Sequence, residues 1–432
     1  MAVTLSDRAK ELLEFESQYT AGGFHDPMPA VITKAKGVKL WDIDGKEYLD
    51  FTCMLSAVNQ GHSHPAIIEA VVKQMHDASL VNIAAHTAIW PPFAQMMCQR
   101  FGYDKILPLV SGTEAVEAAC KIARKWGINV KGIPADELLI LGLSGCFHGL
   151  SIAMWSLQDK TPKRAAYGIA DPRLTCYDPK TEEPLSYGNT GRIKACIEHH
   201  HARIAAVVIE PIRGQLRTFA EEISYSTKLY DLCKEYNILF IADEIRMGCG
   251  KTGRFLSSDH LGASRKPDLI ALGKSLSGGV YPVSFVLGRS ECMDLVGEKE
   301  IVSTYSFSPL AITATTAALR VIDDECLIER AGQIEKKFLE VAETWRHPFI
   351  RYATARGADF FIFFWRIDQN TCRRICEICM HNGLLVYPNG LGIRMSIAMV
   401  ITDEELRAGL EILSNAFDTV FSDLTRYRAL VG

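Results

Sequence analysis

The chain has 432 residues and a formal net charge of −4, with 47 Lys and Arg against 51 Asp and Glu. That mild acidity argues against a nucleic-acid-binding surface, and no apolar run approaches membrane-spanning length. At 48% hydrophobic and 23% charged residues the composition is ordinary for a globular protein, and the length calls for more than one core.

The opening MAVTLSDRAKELLEFESQY lacks an apolar leader core and carries several acids. With thirteen cysteines read as reduced thiols, it points to a cytoplasmic protein. Residues 5–20 read as a short amphipathic helix. Residues 37–51 alternate apolar and polar around Asp44-Gly45, a hairpin signal. Pro65 marks a helix start.

From about residue 55 to 320, apolar strand candidates alternate with helices. The strands are Leu138–Leu143, Ile204–Ile209, Ile238–Ala242, Leu269–Leu272 and Val283–Leu287; helices are expected at 113–127 and 224–236. This alternation predicts an α/β domain, a mostly parallel sheet covered by helices on both faces. Ligands then bind beyond the carboxyl ends of the strands. After a helix near 309–322 the pattern changes to an apolar strand in 357–367, a helix over 371–382 and a helix after Thr402-Asp403, a smaller α+β domain. The expected division is an N-terminal segment 1–54, a large domain 55–320 and a small domain 321–432. Cys372, Cys376 and Cys379 share helical spacing, but no matching histidine pair follows, so no metal site is expected. His199, His200 and His201 read as a solvated helix end.

Two strand ends carry chemistry. Leu269–Leu272 runs toward Lys274, and an ammonium ion beside an apolar run is costly to bury. A strand-end lysine reaching solvent is the plain reading; a Schiff base with an aldehyde cofactor is the chemical one. Ile238–Ala242 runs into Asp243, a carboxylate that needs a cationic partner. The protonated ring nitrogen of pyridoxal phosphate is such a partner. With these two segments, YNILFIADEIRMGCGKTGRF and PDLIALGKSLSGGVYPVSF, the chain resembles the class III aminotransferases of pyridoxal-phosphate fold type I, nearest its ornithine aminotransferases. The resemblance runs from about Pro27 to the last helix.

The resemblance implies pyridoxal 5′-phosphate as cofactor and assigns residues to it. Ser111-Gly112-Thr113 joins a strand to a helix; glycine admits an anion close to the backbone, and a helix N-terminus offers free N–H groups. Alone, this tripeptide is also an ordinary helix cap; by resemblance it is the phosphate loop. Phe147 is the residue that stacks on the cofactor ring, His148-Gly149 complete that turn, and Glu210, Ile245 and Arg246 belong to the same site. Lys274 is the catalytic amine and Asp243 the partner of the ring nitrogen. Thr304 matches the threonine given to the phosphate of a second subunit, which implies a homodimer. Here Phe307-Ser308 replaces the family's Gly-Asn before the proline.

Arg394 matches the arginine that grips an α-carboxylate. The remaining substrate positions depart from the ornithine aminotransferases. Leu150 replaces an arginine, Leu55 an aromatic and Gln215 the glutamate that screens the carboxylate-binding arginine. A tyrosine position falls on His25, or on Phe24 with a different gap, and Arg246 replaces a glutamine. A charge-recognising pocket has become more apolar, and Arg394 is expected to lack its screening carboxylate. The expected reaction is transfer of an amino group from an amine or amino acid to a 2-oxo acid such as 2-oxoglutarate, with a donor other than ornithine. A racemase, epimerase or aminomutase on the same scaffold is the alternative, and a non-catalytic relative acting through its dimer surface is a third.

Overall fold

The computed structural model describes residues 5–22, 28–168, 171–390 and 392–431, with side chains to residue 424. The chain divides into two compact units. One is Ala66–Gly250 with Arg254–Val321; the other combines Met1–Pro65, Lys251–Gly253 and Ile322–Gly432.

The first unit is built on a seven-stranded sheet. Its order is Lys105–Leu109, Ser284–Gly288, Leu269–Leu272, Leu239–Asp243, Ile204–Ile209, Leu139–Leu141 and Leu174–Thr175. Ser284–Gly288 is antiparallel to both neighbours, and all other pairings are parallel. Strands such as Ile204–Ile209 are buried at every position, because helices cover both faces and leave no side for alternation. The helix Gly112–Asn129 packs on the sheet through Ala115, Ala118, Ala119, Ala123 and Trp126. Its Gly127 is required by closeness: a Cβ there would lie 2.6 Å from Leu138 and 2.7 Å from Ala205.

The α/β expectation and its five strands are present within a residue or two. Strand Lys105–Leu109 was not delimited from sequence, since Pro108 interrupts its periodicity; proline is tolerated there because the strand is at the sheet edge. Leu174–Thr175 has only two residues and no periodic signal.

The second unit holds two four-stranded sheets. In the first, Ile32–Lys36, Lys39–Asp42 and Glu47–Asp50 form antiparallel pairs, and Leu384–Leu385 adds in parallel. The expected hairpin turns at Gly45, φ +82°, with the Asp42 carboxylate accepting from the amides of Asp44 (3.0 Å) and Lys46 (2.9 Å). The other sheet is antiparallel, in the order Ile350–Ala355, Asp359–Phe364, Gly392–Ser396 and Tyr387–Pro388. This unit also holds the helices Asp7–Tyr19, Leu327–Ala342, Gln369–His381 and Asp403–Val431, and Phe338 stacks on Phe360 with centroids 3.9 Å apart. Cys372, Cys376 and Cys379 are buried on the helix Gln369–His381, and none of the thirteen cysteines is in a disulfide. Among the described residues no group of histidines, cysteines or acids is placed to hold a metal ion.

Cys53 to Ser56 have four consecutive positive φ angles, 47°, 43°, 59° and 65°, a single left-handed turn. L-residues resist this hand. The buried Asp50 carboxylate holds the turn in place: it accepts from Thr52 N (2.8 Å), Thr52 Oγ1 (2.6 Å) and Cys53 N (3.1 Å), and meets His62 Nε2 at 2.8 Å.

Candidate active site

In the first unit the parallel strands end at one rim, and Asp243, Lys274, His148, Glu210 and the Ser111-Gly112-Thr113 turn lie along it. Leu239–Asp243 and Leu269–Leu272 are neighbours, with Asp243 opposite Ala271. Asp243 and Lys274 therefore leave adjacent strands on the same side. Asp243 is 4% exposed; its carboxylate meets His148 Nδ1 at 2.8 Å and accepts from Ile245 N at 3.1 Å. Lys274 has φ +49°, a left-handed backbone that favours glycine, and follows the extended Gly273. Such strain persists where surrounding structure fixes it and is concentrated at functional positions.

At the edge of the sheet, Ser111 caps the helix Gly112–Asn129 with a full capping box. Its hydroxyl accepts from Glu114 N at 3.2 Å, while Glu114 accepts from Ser111 N at 2.6 Å. Ser284 opens the antiparallel strand at this rim and its hydroxyl donates to the Ser111 carbonyl at 2.7 Å. Two glycines let these segments close on one another. A Cβ on Gly112 would lie 2.9 Å from Ile245 Cγ2, and one on Gly149 (φ +115°) would overlap Thr113 Oγ1. Ile245 also packs over Gly273, next to Lys274.

Glu210 follows the strand Ile204–Ile209, and its carboxylate accepts from Phe147 N at 2.9 Å. The Phe147 ring is 55% exposed. Burial opposes charge on His148, but hydrogen bonding with Asp243 and Cys146 outweighs it and raises its pKa to about 10. His148 is thus an imidazolium at neutral pH, paired with the Asp243 carboxylate.

The constellation fits pyridoxal phosphate on its own geometry. It combines a capped helix N-terminus approached through Gly112, a buried oriented carboxylate, an amine on the next strand end, and an exposed aromatic face. The family model for class III aminotransferases matches residues 21–417. The chain belongs to that family. This aminotransferase is 38% identical over 431 residues to the ornithine aminotransferase of Schizosaccharomyces pombe, covering 98% of this chain and 97% of the relative. It is 37% identical over 410 residues to that of Emericella nidulans, covering 94% and 90%. The structure of the Toxoplasma gondii ornithine aminotransferase matches with a TM-score of 0.87 at 31% identity, covering 96% of each chain. A second structure of that protein has partial occupancy of pyridoxal phosphate at its active site. The fold is that of the family, fold type I.

The other sequence candidates are placed as follows. Ile245 and Arg246 are half-buried in the turn after Asp243. Leu150 (60% exposed) and Thr304 are exposed in the first unit. Gln215 is half-buried on a loop that the fully buried Glu222 organises: Glu222 accepts from the amides of Arg213, Gly214, Gln215 and Leu216 at 3.1, 3.0, 2.6 and 2.9 Å. Leu55 and Arg394 belong to the second unit, Leu55 inside the left-handed turn. His25 and Phe24 lie outside the described residues.

Arg394 corrects one expectation. It does not lack a carboxylate partner: its Nη2 donates to Asp359 Oδ2 at 3.2 Å, with both residues buried. Sequence reading also missed the His148–Asp243 pair and Glu222, since each depends on residues brought together by the fold.

Proposed function

We propose that this aminotransferase binds pyridoxal 5′-phosphate through Lys274 and transfers an amino group from an amine or amino acid with an apolar or modified side chain to a 2-oxo acid. The observation that carries the cofactor reading is the placement of Lys274 and Asp243 on adjacent strand ends, with Gly112 and Thr113 closing the same rim. The cofactor, when bound, supplies an aldehyde and a ring that takes up electrons. The chain supplies the rest. The N-terminus of the helix Gly112–Asn129, with Ser111, Gly112 and Thr113, holds the phosphate, and the Phe147 ring covers one face of the cofactor. Asp243, fixed by His148 and Ile245, keeps the ring nitrogen protonated. With the cofactor bound through it, Lys274 would be the base that takes the proton from the donor carbon and the acid that gives a proton to the acceptor carbon. Arg394 binds the carboxylate of the 2-oxo acid.

The curated relatives named above are ornithine aminotransferases. The donor proposed here differs because Leu150, Leu55 and Gln215 stand at their charge- and ring-bearing substrate positions. Losing a guanidinium that binds a carboxylate costs on the order of 2–5 kcal/mol. The unit of function is a homodimer, with Thr304 on the partner's phosphate. An exposed apolar stripe on the helix Pro65–Asp77, Ile68, Val72 and Met75 at i, i+4 and i+7, supports it, continued by Leu80 and Ile83.

A spectral screen of purified protein supplied with pyridoxal phosphate tests the reading. Apolar amines should bleach the bound chromophore, and 2-oxoglutarate should restore it. Lys274→Ala should lose both the chromophore and borohydride tagging of the 274 peptide. Faster bleaching by ornithine than by any other amine would remove the donor assignment. Turnover that needs no oxo acid would point to an isomerase.

A further inference from the structure

Arg394 and Asp359 face each other on adjacent antiparallel strands. The register pairs Asp359 with Ser396 and Phe361 with Arg394, so the two charged residues are diagonal neighbours on one face. Asp359 is 1% exposed and Arg394 8%. Asp359 sits at the first position of its strand, where backbone bonds lock it: Arg356 N donates to Asp359 O at 2.8 Å and Asp359 N to Arg356 O at 3.3 Å. Gly357, between them, has no room for a side chain, because a Cβ would overlap the Lys251 carbonyl. The Gly357 amide is in turn held by Glu335 at 3.0 Å.

The backbone that carries this carboxylate is therefore fixed as part of a strand and is not a loop that can swing aside. Gln215, at the position where the family's screening glutamate stands, carries no charge.

We infer that Asp359 is a built-in counter-ion for Arg394, a specificity-determining residue that disfavours substrates bearing a carboxylate at that arginine. The inference rests on the reading of Arg394 as the carboxylate anchor. A substrate carboxylate arriving at Arg394 meets a guanidinium already neutralised, and lies next to a fixed negative charge. Like charges brought together in a buried setting repel strongly. An amine without an α-carboxylate suffers no such penalty. The chemistry selected is thus a carboxylate-free amine donor, with the 2-oxo acid tolerated as a weakly held acceptor.

The test is binding of glutarate, an unreactive dicarboxylate, and of glutaramide, its neutral analogue, to the cofactor-loaded protein by titration calorimetry. Asp359→Asn should tighten glutarate about tenfold, the scale of one removed like-charge contact, and leave glutaramide unchanged. Asp359→Glu should stay as weak as the natural protein. Arg394→Met should weaken glutarate in either background. If Arg394→Met leaves glutarate binding alone, the Arg394 reading fails. If Arg394→Met weakens it but Asp359→Asn does not tighten it, Arg394 stands and the counter-ion role is overturned. Should Asp359→Asn not fold, Asp359→Ser repeats the test. Two unfolded neutral variants beside a folded Asp359→Glu would place the charge in the service of the fold, and the inference would be wrong.

Discussion

The pair formed by His148 and Asp243 sets the electrostatics at the centre of the first unit. Burial works against the imidazolium, and the contacts with Asp243 and Cys146 more than offset it, so the folded-state pKa is raised to about 10. An unfolded histidine titrates near 6.5. The pair's stabilisation is therefore complete below about pH 6.5 and lost as pH rises through about 10. Denaturant unfolding of the natural protein and of His148→Gln should differ most near pH 6 and converge near pH 10; a gap that widens with pH would mean the imidazole is neutral in the folded state. At this scale the sequence was half legible. Lys274 and Asp243 stand out because each ends an apolar run. His148 was assigned to the cofactor turn but not to Asp243, since that partner lies 95 positions away.

Elements show how a loop is shaped from behind. Glu222, in the first turns of the helix Phe219–Glu235, collects the amides of residues 213–216 and so places Gln215. A buried carboxylate with this many donors resembles an anion seated in a backbone nest. Glu222→Ala would leave four amides without acceptor, and at about 1 kcal/mol each the expected loss is about 4 kcal/mol, read from urea unfolding. Glu222→Gln keeps one acceptor oxygen but turns an NH2 donor toward the other two amides, and should cost at least half of that. A Glu222→Gln loss near zero, with the volume kept and half the acceptors gone, would show that volume, not hydrogen bonding, matters at this site. The helix itself was expected at 224–236, five residues late at its start. Thr218 and Glu221 form its capping box, a local signal that was there to be read. The strands were the most legible elements, because burial on both faces writes an uninterrupted apolar run. The strand Ile350–Ala355 escaped because its outer positions are only partly covered and its run holds Arg351 and Thr354.

For the whole molecule, the exposed stripe of Ile68, Val72 and Met75 with Leu80 and Ile83 marks the face expected to meet a second copy. Val72→Glu with Met75→Lys should shift the protein to monomer in analytical ultracentrifugation and weaken cofactor retention severalfold; a dimer that persists would move the interface elsewhere. The alternation of strands and helices made the large unit legible from sequence. The make-up of the other unit was not, because nothing in the local pattern tells that Lys251–Gly253 departs from its neighbours to join residues from both ends of the chain.

That three-part make-up has a consequence for synthesis on the ribosome. The large unit is nearly continuous in sequence, so once residue 321 has emerged its sheet can close while translation goes on. The other unit cannot begin to assemble its hairpin against Leu384–Leu385 until that last stretch has been made. Through that interval the newborn N-terminal segment waits without its sheet partner, and any helper that shields it is needed only then.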